Sequence, residues 1–242
     1  METVAFISCV NDQSLFDACC GYIHVLDKTG FQFEVVPVHN NYSLPAAYNE
    51  GMRKSRAKYK IYLHQDTFIL DVNFLHHIDN IFKINPAIGM IGVMGGRYLR
   101  IDSNPMLVWD CQESWGCIYH YGHHRIDRRI NPTGVYDWVN FIDGCIMVTQ
   151  YDIPWREDIL RGFHFYDLSQ SVEFWKKGCA VVVPRQTTPW VAHLSASGIT
   201  YPEYEKLRRV FVREYINYLV RPGPGENTKS IVFNGKRYKF KV

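Results

Sequence analysis

Asp66 lies between two apolar runs, Ile61-Tyr62-Leu63 and Phe68-Ile69-Leu70, so a charge stands where its neighbours head for the interior. Such a group needs a partner, because burying an isolated carboxylate is costly. One partner is a hard divalent cation, which would share one or two carboxylates with diphosphate oxygens and water and neutralise charge on both sides. The other is a helix N-cap or a turn before Val72, since aspartate accepts main-chain N–H groups. Residue type alone leaves both open. Asp167 poses the same choice, between a cap for the helical stretch Leu168 to Lys177 and a carboxylate free for chemistry. His120, His123 and His124 are spaced so that imidazoles could converge on zinc. No Cys or Glu motif accompanies them, and a hydrogen-bonding cluster in a surface loop is the plainer reading.

The elements that must position these residues show in the hydrophobic periodicity. Val4 to Val10, Phe31 to Val38, Lys60 to Leu63 and Met90 to Met94 are short apolar or β-like runs, while Leu15 to Leu26, Pro45 to Ala57 and Val72 to Phe82 read as helices. This alternation predicts an α/β fold, a mostly parallel sheet with helices on both faces. Ligands of such sheets bind beyond the carboxyl ends of the strands. There the sequence turns polar: Asn11 and Asp12, then His39, Asn40 and Asn41, then His64, Gln65 and Asp66.

Residues 95–140 lose this rhythm and predict an aromatic excursion over the rim of the sheet. Its Trp109, Trp115, Tyr119, Tyr121, Tyr136 and Trp138, like Trp190 further on, are either stacking platforms for a sugar or core filling. Phe141 to Thr149 then reads as one core strand, Asp167 to Lys177 as a helix ended by Gly178, and Ala180 to Val183 as a strand stopped by Pro184. Pro202 opens an amphipathic helix with Tyr204, Leu207, Phe211, Tyr215 and Tyr218 on one side. After Pro222-Gly223-Pro224-Gly225, the Asn234-Gly235 pair predicts a hairpin. The expected division is a domain over 1–200 and a helix-and-hairpin extension over 201–242.

With 242 residues, 47% hydrophobic and 15% aromatic, the chain can fill the core of one such domain. Its 27 basic and 24 acidic residues give a net charge of +3, too small and too scattered for a nucleic-acid footprint. Arg125, Arg128 and Arg129 form a short basic cluster that suits either a phosphate or a solvated loop. The N-terminus runs straight into a strand-like segment without the pattern of a signal peptide, and no stretch approaches the ~20 apolar residues of a membrane span. Seven cysteines without CxxC spacing are expected to be reduced, structural thiols. A cytoplasmic protein is the expectation.

Tyr48-Asn49-Glu50-Gly51, followed by Ala57-Lys58-Tyr59-Lys60-Ile61-Tyr62-Leu63-His64-Gln65-Asp66, resembles the stretch of family-2-type glycosyltransferases in which an Asn-x-Gly helix start leads to a strand ending in the DxD metal motif. The acidic pair is reduced here to His-Gln-Asp, most like the branch related to the streptomycin-biosynthesis-type glycosyltransferase domain. A second match is Phe163-His164-Phe165-Tyr166-Asp167-Leu168 with Glu173-Phe174-Trp175-Lys176-Lys177-Gly178 and Cys179-Ala180-Val181-Val182-Val183-Pro184, which resembles the family's Glu-Asp helix start and the strand after it. The matches follow one another in the family's order over roughly residues 4 to 194.

The resemblance implies a GT-A fold, an inverting transfer from a nucleotide-diphosphate-sugar to a saccharide or other acceptor hydroxyl, and Mn²⁺ or Mg²⁺ as cofactor. It implies Asp167 as catalytic base and Asp66 with His193 as metal ligands. Ser8, Asn11, His39, Asn49, Gln65, Asp66, Asp143 and Gly144 are the implied donor contacts. His64 is expected behind the ligands rather than among them. Two departures bear on activity: the second strand ends in Val38-His39-Asn40-Asn41 where relatives carry an aspartate pair, and Tyr166 replaces the Glu before the base. A non-catalytic nucleotide-sugar binder of the same fold is therefore the alternative. Self-association is left open.

Overall fold

The computed structural model describes residues 1–39, 42–100, 108–109, 111–194, 201–219, 228–233 and 236–241. Asn40, Asn41 and the turn pair Asn234-Gly235 lie outside them, as does the Pro222 to Gly225 stretch.

The first half follows the expected alternation: β1 (Glu2–Cys9), α1 (Gln13–His24), β2 (Phe31–Val38), α2 (Leu44–Lys54), β3 (Tyr59–Leu63), β4 (Thr67–Ile69), α3 (Phe74–Ile84) and β5 (Ile88–Gly92). Local chemistry sets the helix starts. The Asp12 carboxylate accepts from Leu15 N at the head of α1, and Ser43 Oγ accepts from Ala46 N at the head of α2. The second half holds the short strands β6 (Met94–Gly96), β7 (Leu99–Arg100), β8 (Val108–Trp109), β9 (Ser114–His120), β10 (Arg125–Arg128), β11 (Tyr136–Val139), β12 (Phe141–Ile142) and β13 (Ile146–Thr149). After them come α4 (Tyr166–Lys176), β14 (Ala180–Pro184), β15 (Val191–His193), α5 (Tyr201–Leu219) and the antiparallel pair β16 (Thr228–Phe233) and β17 (Lys236–Lys241).

The main sheet has the order β11-β14-β5-β13-β3-β1-β2. β2, β1, β3, β5 and β14 run one way, and β13 and β11 run against them. Side chains alternate between its faces, so each face receives its own helices. Val4 and Phe6 meet α1 and α3 through Cys19, Ile23, Phe74, Ile78 and Ile81. Ala5 and Ile7 point the other way, to Leu44, Ala47 and Tyr48 of α2 and Phe174 of α4.

Two expectations change. The excursion over 95–140 is itself sheet-forming: β6 and β9 join β12, β15 and β4 in a second sheet of order β12-β6-β9-β15-β4, with β10 on β9, and β11 returns to the edge of the main sheet. Phe141 to Thr149 is two strands rather than one. Asp143-Gly144-Cys145 breaks it, sending β12 to the small sheet and β13 to the large one. A third cluster, with Phe141, Leu160, Phe165, Leu168 and Val172, is closed by Tyr204, Leu207, Phe211 and Tyr215 of α5.

Candidate active site

Three connections meet at the carboxyl end of β3. The first is His64-Gln65-Asp66, which leaves β3 and enters β4. The second is Asp143-Gly144-Cys145, which belongs here because β13 runs backwards: Ile146 pairs with Leu63, so the loop before β13 lies beside the loop after β3. His64 N donates to Cys145 O across this junction (3.0 Å), and Thr67 Oγ1 donates to the same carbonyl (3.0 Å). The third is β15, whose antiparallel pairing with β4 sets His193 opposite Thr67, with Leu194 N donating to Asp66 O (3.0 Å).

This register brings together side chains 127 and more positions apart. His193 Nε2 lies 3.4 Å from Asp66 Oδ1 and 3.3 Å from His64 Nδ1, and His64 Nδ1 lies 3.9 Å from the same carboxylate oxygen. Among the described residues, these three are the group of His, Cys, Asp and Glu side chains whose ligand atoms converge closely enough to hold a metal ion. Burial pulls His64 down from the ordinary imidazole range, as does the neighbouring His193, so it stays a neutral lone-pair donor. Burial would raise the Asp66 carboxyl, but the hydrogen bond and charge of His193 outweigh it and hold the group below its usual value. Burial opposes the charged form of His193 as well, and Asp66 more than compensates, raising it. Two imidazoles and one carboxylate fit a divalent first-row transition ion better than Mg²⁺, which favours all-oxygen ligation. His64 thus stands with Asp66 and His193 in the group that could hold an ion, rather than apart from it. Asp66 does not cap α3, whose N-cap is Asn73, but it does lie in the turn between β3 and β4.

Asp167 stands in the first turn of α4, two residues past the N-cap position held by Phe165, so it is not the N-cap. Its setting is unusual for a carboxyl. Burial first, and the charge of Asp143 second, push it up to about 7, against hydrogen bonds from the main-chain N–H groups of Leu168, its own residue and Gly144. Phe165 adopts a left-handed conformation, φ 64°, which is strained for a bulky side chain. Its ring is held between Tyr204 and Phe211 of α5, at 4.8 and 5.4 Å between centroids.

The other expected donor contacts divide. Gln65 closes on the loop after β1: its Oε1 accepts from Asn11 N and Asp12 N (2.9 Å each), and its amide donates to Asn11 Oδ1. His39 is exposed just beyond β2. Asp143 sits at the junction, its Oδ1 accepting from Cys145 N (2.9 Å). Gly144 has no room for a side chain, since a Cβ would collide with the Tyr166 hydroxyl.

Two residues depart from expectation. Ser8 is fully buried within the sheet, its hydroxyl without a hydrogen-bond partner among the described residues. Asn49, only 3% exposed, braces α2 instead of facing a ligand: its Nδ2 donates to Trp155 O (2.9 Å) and its Oδ1 accepts from Trp155 N (2.8 Å). Gly51, the other end of that motif, lets α2 approach β1, because a Cβ there would strike Ile7. Both motif residues act in packing.

Of the aromatic candidates, Trp115 is buried with the Arg97 guanidinium over its ring (4.2 Å), and Trp190 is buried and stacked on His77. Tyr121 is half exposed, next to Tyr119 and His124, whose Nδ1 meets the Tyr119 hydroxyl at 3.2 Å. In the basic cluster, Arg129 pairs with Asp127 (3.0 Å). A surface groove lined by Thr3, Gln32, Glu34, Lys54 and Arg56 lies at the opposite end of β1 and β2 and carries none of the residues above. Cys19, Cys20, Cys117, Cys145 and Cys179 are free thiols, and no helix among the described residues is long and apolar enough to cross a membrane.

Residues 5–215 match a sequence family described as "Glycosyltransferase like family". The chain belongs to that family. No curated protein matches it at a significant level. Among solved structures, TarS residues 1–349 of S. aureus, in complex with UDP-GlcNAc, is similar with a TM-score of 0.54 at 10% identity, over 91% of this chain and 68% of that one. The mannosyltransferase PcManGT of Pyrobaculum calidifontis, in complex with GDP-Man and Mn²⁺, is similar with a TM-score of 0.53 at 10% identity, over 92% of this chain and 66% of that one. This chain thus spans about two thirds of each, and the likeness establishes a shared GT-A fold.

Proposed function

We propose that the protein is a metal-dependent, inverting glycosyltransferase that moves a sugar from a nucleotide-diphosphate-sugar to the hydroxyl of a saccharide or other acceptor. The observation that carries this reading is the convergence of His64, Asp66 and His193 beside a first-turn Asp167 whose carboxyl stands near 7. The nucleotide-sugars bound to the two structural neighbours, one of them with Mn²⁺, support it. The His64-Gln65-Asp66 variant supports placement in the streptomycin-biosynthesis-type branch. We take residues 1–200 as the donor-binding unit, 201–242 as an extension of it, and the cytoplasm as its location.

In this reading His64, Asp66 and His193 hold the divalent ion, which when bound supplies positive charge for the departing diphosphate. Gln65 fixes the loop after β1 against the site, where Asn11 and His39 border the donor. Asp143 and Gly144 border it from the β13 side. Asp167 takes the proton from the acceptor hydroxyl as that oxygen attacks the anomeric carbon opposite the leaving diphosphate. A base at about 7 suits that step, because a large share of it is ionised at neutral pH while it stays basic enough to accept the proton. The exposed Tyr121 is a face for the acceptor sugar.

The test is a panel of UDP- and GDP-sugars with Mn²⁺, scored for transfer or slow donor hydrolysis. The expected result is turnover that disappears in Asp167→Asn while nucleotide binding persists. Binding without turnover across the panel would instead identify a non-catalytic nucleotide-sugar binder, the reading kept open by Val38-His39-Asn40-Asn41 in place of the relatives' aspartate pair and by Tyr166 in place of their Glu.

A further inference from the structure

The Tyr166 hydroxyl touches two groups. It lies 2.5 Å from His64 Nε2 and 3.3 Å from Gly144 O. A carbonyl oxygen only accepts, and a phenol has a single proton to give. With that proton on Gly144 O, the phenol oxygen is left to accept from His64 Nε2–H. A neutral imidazole protonated on Nε2 carries its lone pair on Nδ1, and Nδ1 is the atom that faces Asp66 and His193. With the hydroxyl shared in this way, the Gly144 carbonyl favours the tautomer of His64 whose Nδ1 is able to bind a metal.

The hydroxyl is held where it is needed. The Tyr166 ring is buried and packs on Tyr48 and Trp155, with centroids 5.9 and 6.3 Å away. The missing side chain at Gly144 is what lets the hydroxyl reach its carbonyl. Removing the oxygen alone would leave the ring's packing in place and free His64 to turn or to change tautomer.

We infer that Tyr166 is a positioning residue that orients His64 and fixes its tautomer for metal binding, an inference that rests on the metal site proposed above. The residue that displaces the family's acid before the base thereby belongs to the metal centre through His64. Groups behind a metal ligand of this kind change metal affinity by about 10- to 100-fold when removed.

The experiment is a Mn²⁺ titration of the wild type, Tyr166→Phe, His64→Ala and the double variant, with thermal unfolding of each followed in the absence of metal. The expected result is a Mn²⁺ affinity about tenfold or more weaker in Tyr166→Phe, and no further loss when the same change is made in the His64→Ala background. A Tyr166→Phe affinity within twofold of wild type overturns the inference, and so does an equal loss in both backgrounds or a loss that accompanies collapse of the unfolding transition. A wild type that binds no Mn²⁺ overturns the metal site itself, and is told apart by its failing before any variant is compared.

Discussion

The two corners of the site are built by different means. At the metal corner, hydrogen-bonded strands set the geometry: β4 and β15 pair in register, Leu194 N reaches Asp66 O, and His64 N reaches Cys145 O. At the base corner, α4 begins without a side-chain cap, behind a left-handed Phe165 whose ring is gripped by Tyr204 and Phe211 of α5. One corner depends on main-chain pairing, the other on aromatic packing from a helix more than thirty positions later. The Gly144 peptide joins them, its N–H holding the Asp167 carboxylate and its C=O taking the Tyr166 hydroxyl. The difference teaches that damage at one corner should leave the other standing unless it reaches Tyr166, whose hydroxyl ties the start of α4 to His64.

The sharpest cut is Asp167→Asn. It should lower kcat by about 10²- to 10⁴-fold, the usual contribution of a general base, while Mn²⁺ affinity stays within about twofold. The same change should stabilise the protein at alkaline pH. In the folded chain the Asp167 carboxyl stands at about 7 against an ordinary 3.8, so the folded state holds its proton more tightly. The stability this gives is complete below 3.8 and is lost as pH rises through about 7. Wild-type stability should therefore fall between those values relative to Asp167→Asn, as thermal unfolding at pH 5 and pH 8 would reveal. In the wild type kcat/KM should drop below about pH 7 as the base is protonated. A variant that loses metal affinity together with activity would erase the distinction between the corners.

Asp66→Asn attacks the other corner. It should weaken Mn²⁺ by more than about 100-fold, beyond the effect of losing a group behind a ligand. Its unfolding transition should survive, because the strand pairing around it uses main-chain groups. Isothermal titration and thermal unfolding on one sample separate these outcomes.

How much of this could be read from residue order follows from the same contrast. The strands of the first half were legible because each alternates or runs apolar under helices, and Asp66 was conspicuous as a charge between two such runs. His193 entered through family resemblance, since nothing in Val191-Ala192-His193-Leu194 shows that β15 will lie against β4. The approach of His64 to His193 has no local trace either, because the two nitrogens belong to residues 129 positions apart. The break at Asp143-Gly144-Cys145 was hidden inside Phe141 to Thr149, where apolar residues flank it on both sides. A Gly after an Asp in the middle of a strand pattern is the signal that was available. Periodicity also gave no sign that residues 95–140 pair with β15 and β12, because pairing partners far apart in the chain leave no local trace.

Phe165→Gly probes the packing that holds the base. Losing the ring should cost about 3–5 kcal/mol, offset by about 1 kcal/mol as glycine relieves the left-handed backbone. The net loss of about 2–4 kcal/mol should come with a fall in kcat of about tenfold, since small displacements of a catalytic group are costly. Any loss of Mn²⁺ affinity should be no greater than that of Tyr166→Phe, because the Tyr166 hydroxyl links α4 to His64. A loss of Mn²⁺ affinity as large as that of Asp66→Asn would mean that α4 and the metal ligands form one unit.

The smallest effect on ligands is expected at Asn49, the residue whose family motif suggested donor binding. Both sides of its amide are engaged by the Trp155 main chain, and the side chain is buried. Asn49→Ala should therefore cost about 1–3 kcal/mol of stability through the main-chain groups left unpaired. Donor affinity should stay within about twofold, because a brace between α2 and the Trp155 segment supports the site without touching its ligand. Denaturant unfolding reads the first quantity and nucleotide-sugar titration the second. A large drop in donor affinity with stability intact would return Asn49 to the binding surface and place α2, rather than the β13 junction, beside the sugar.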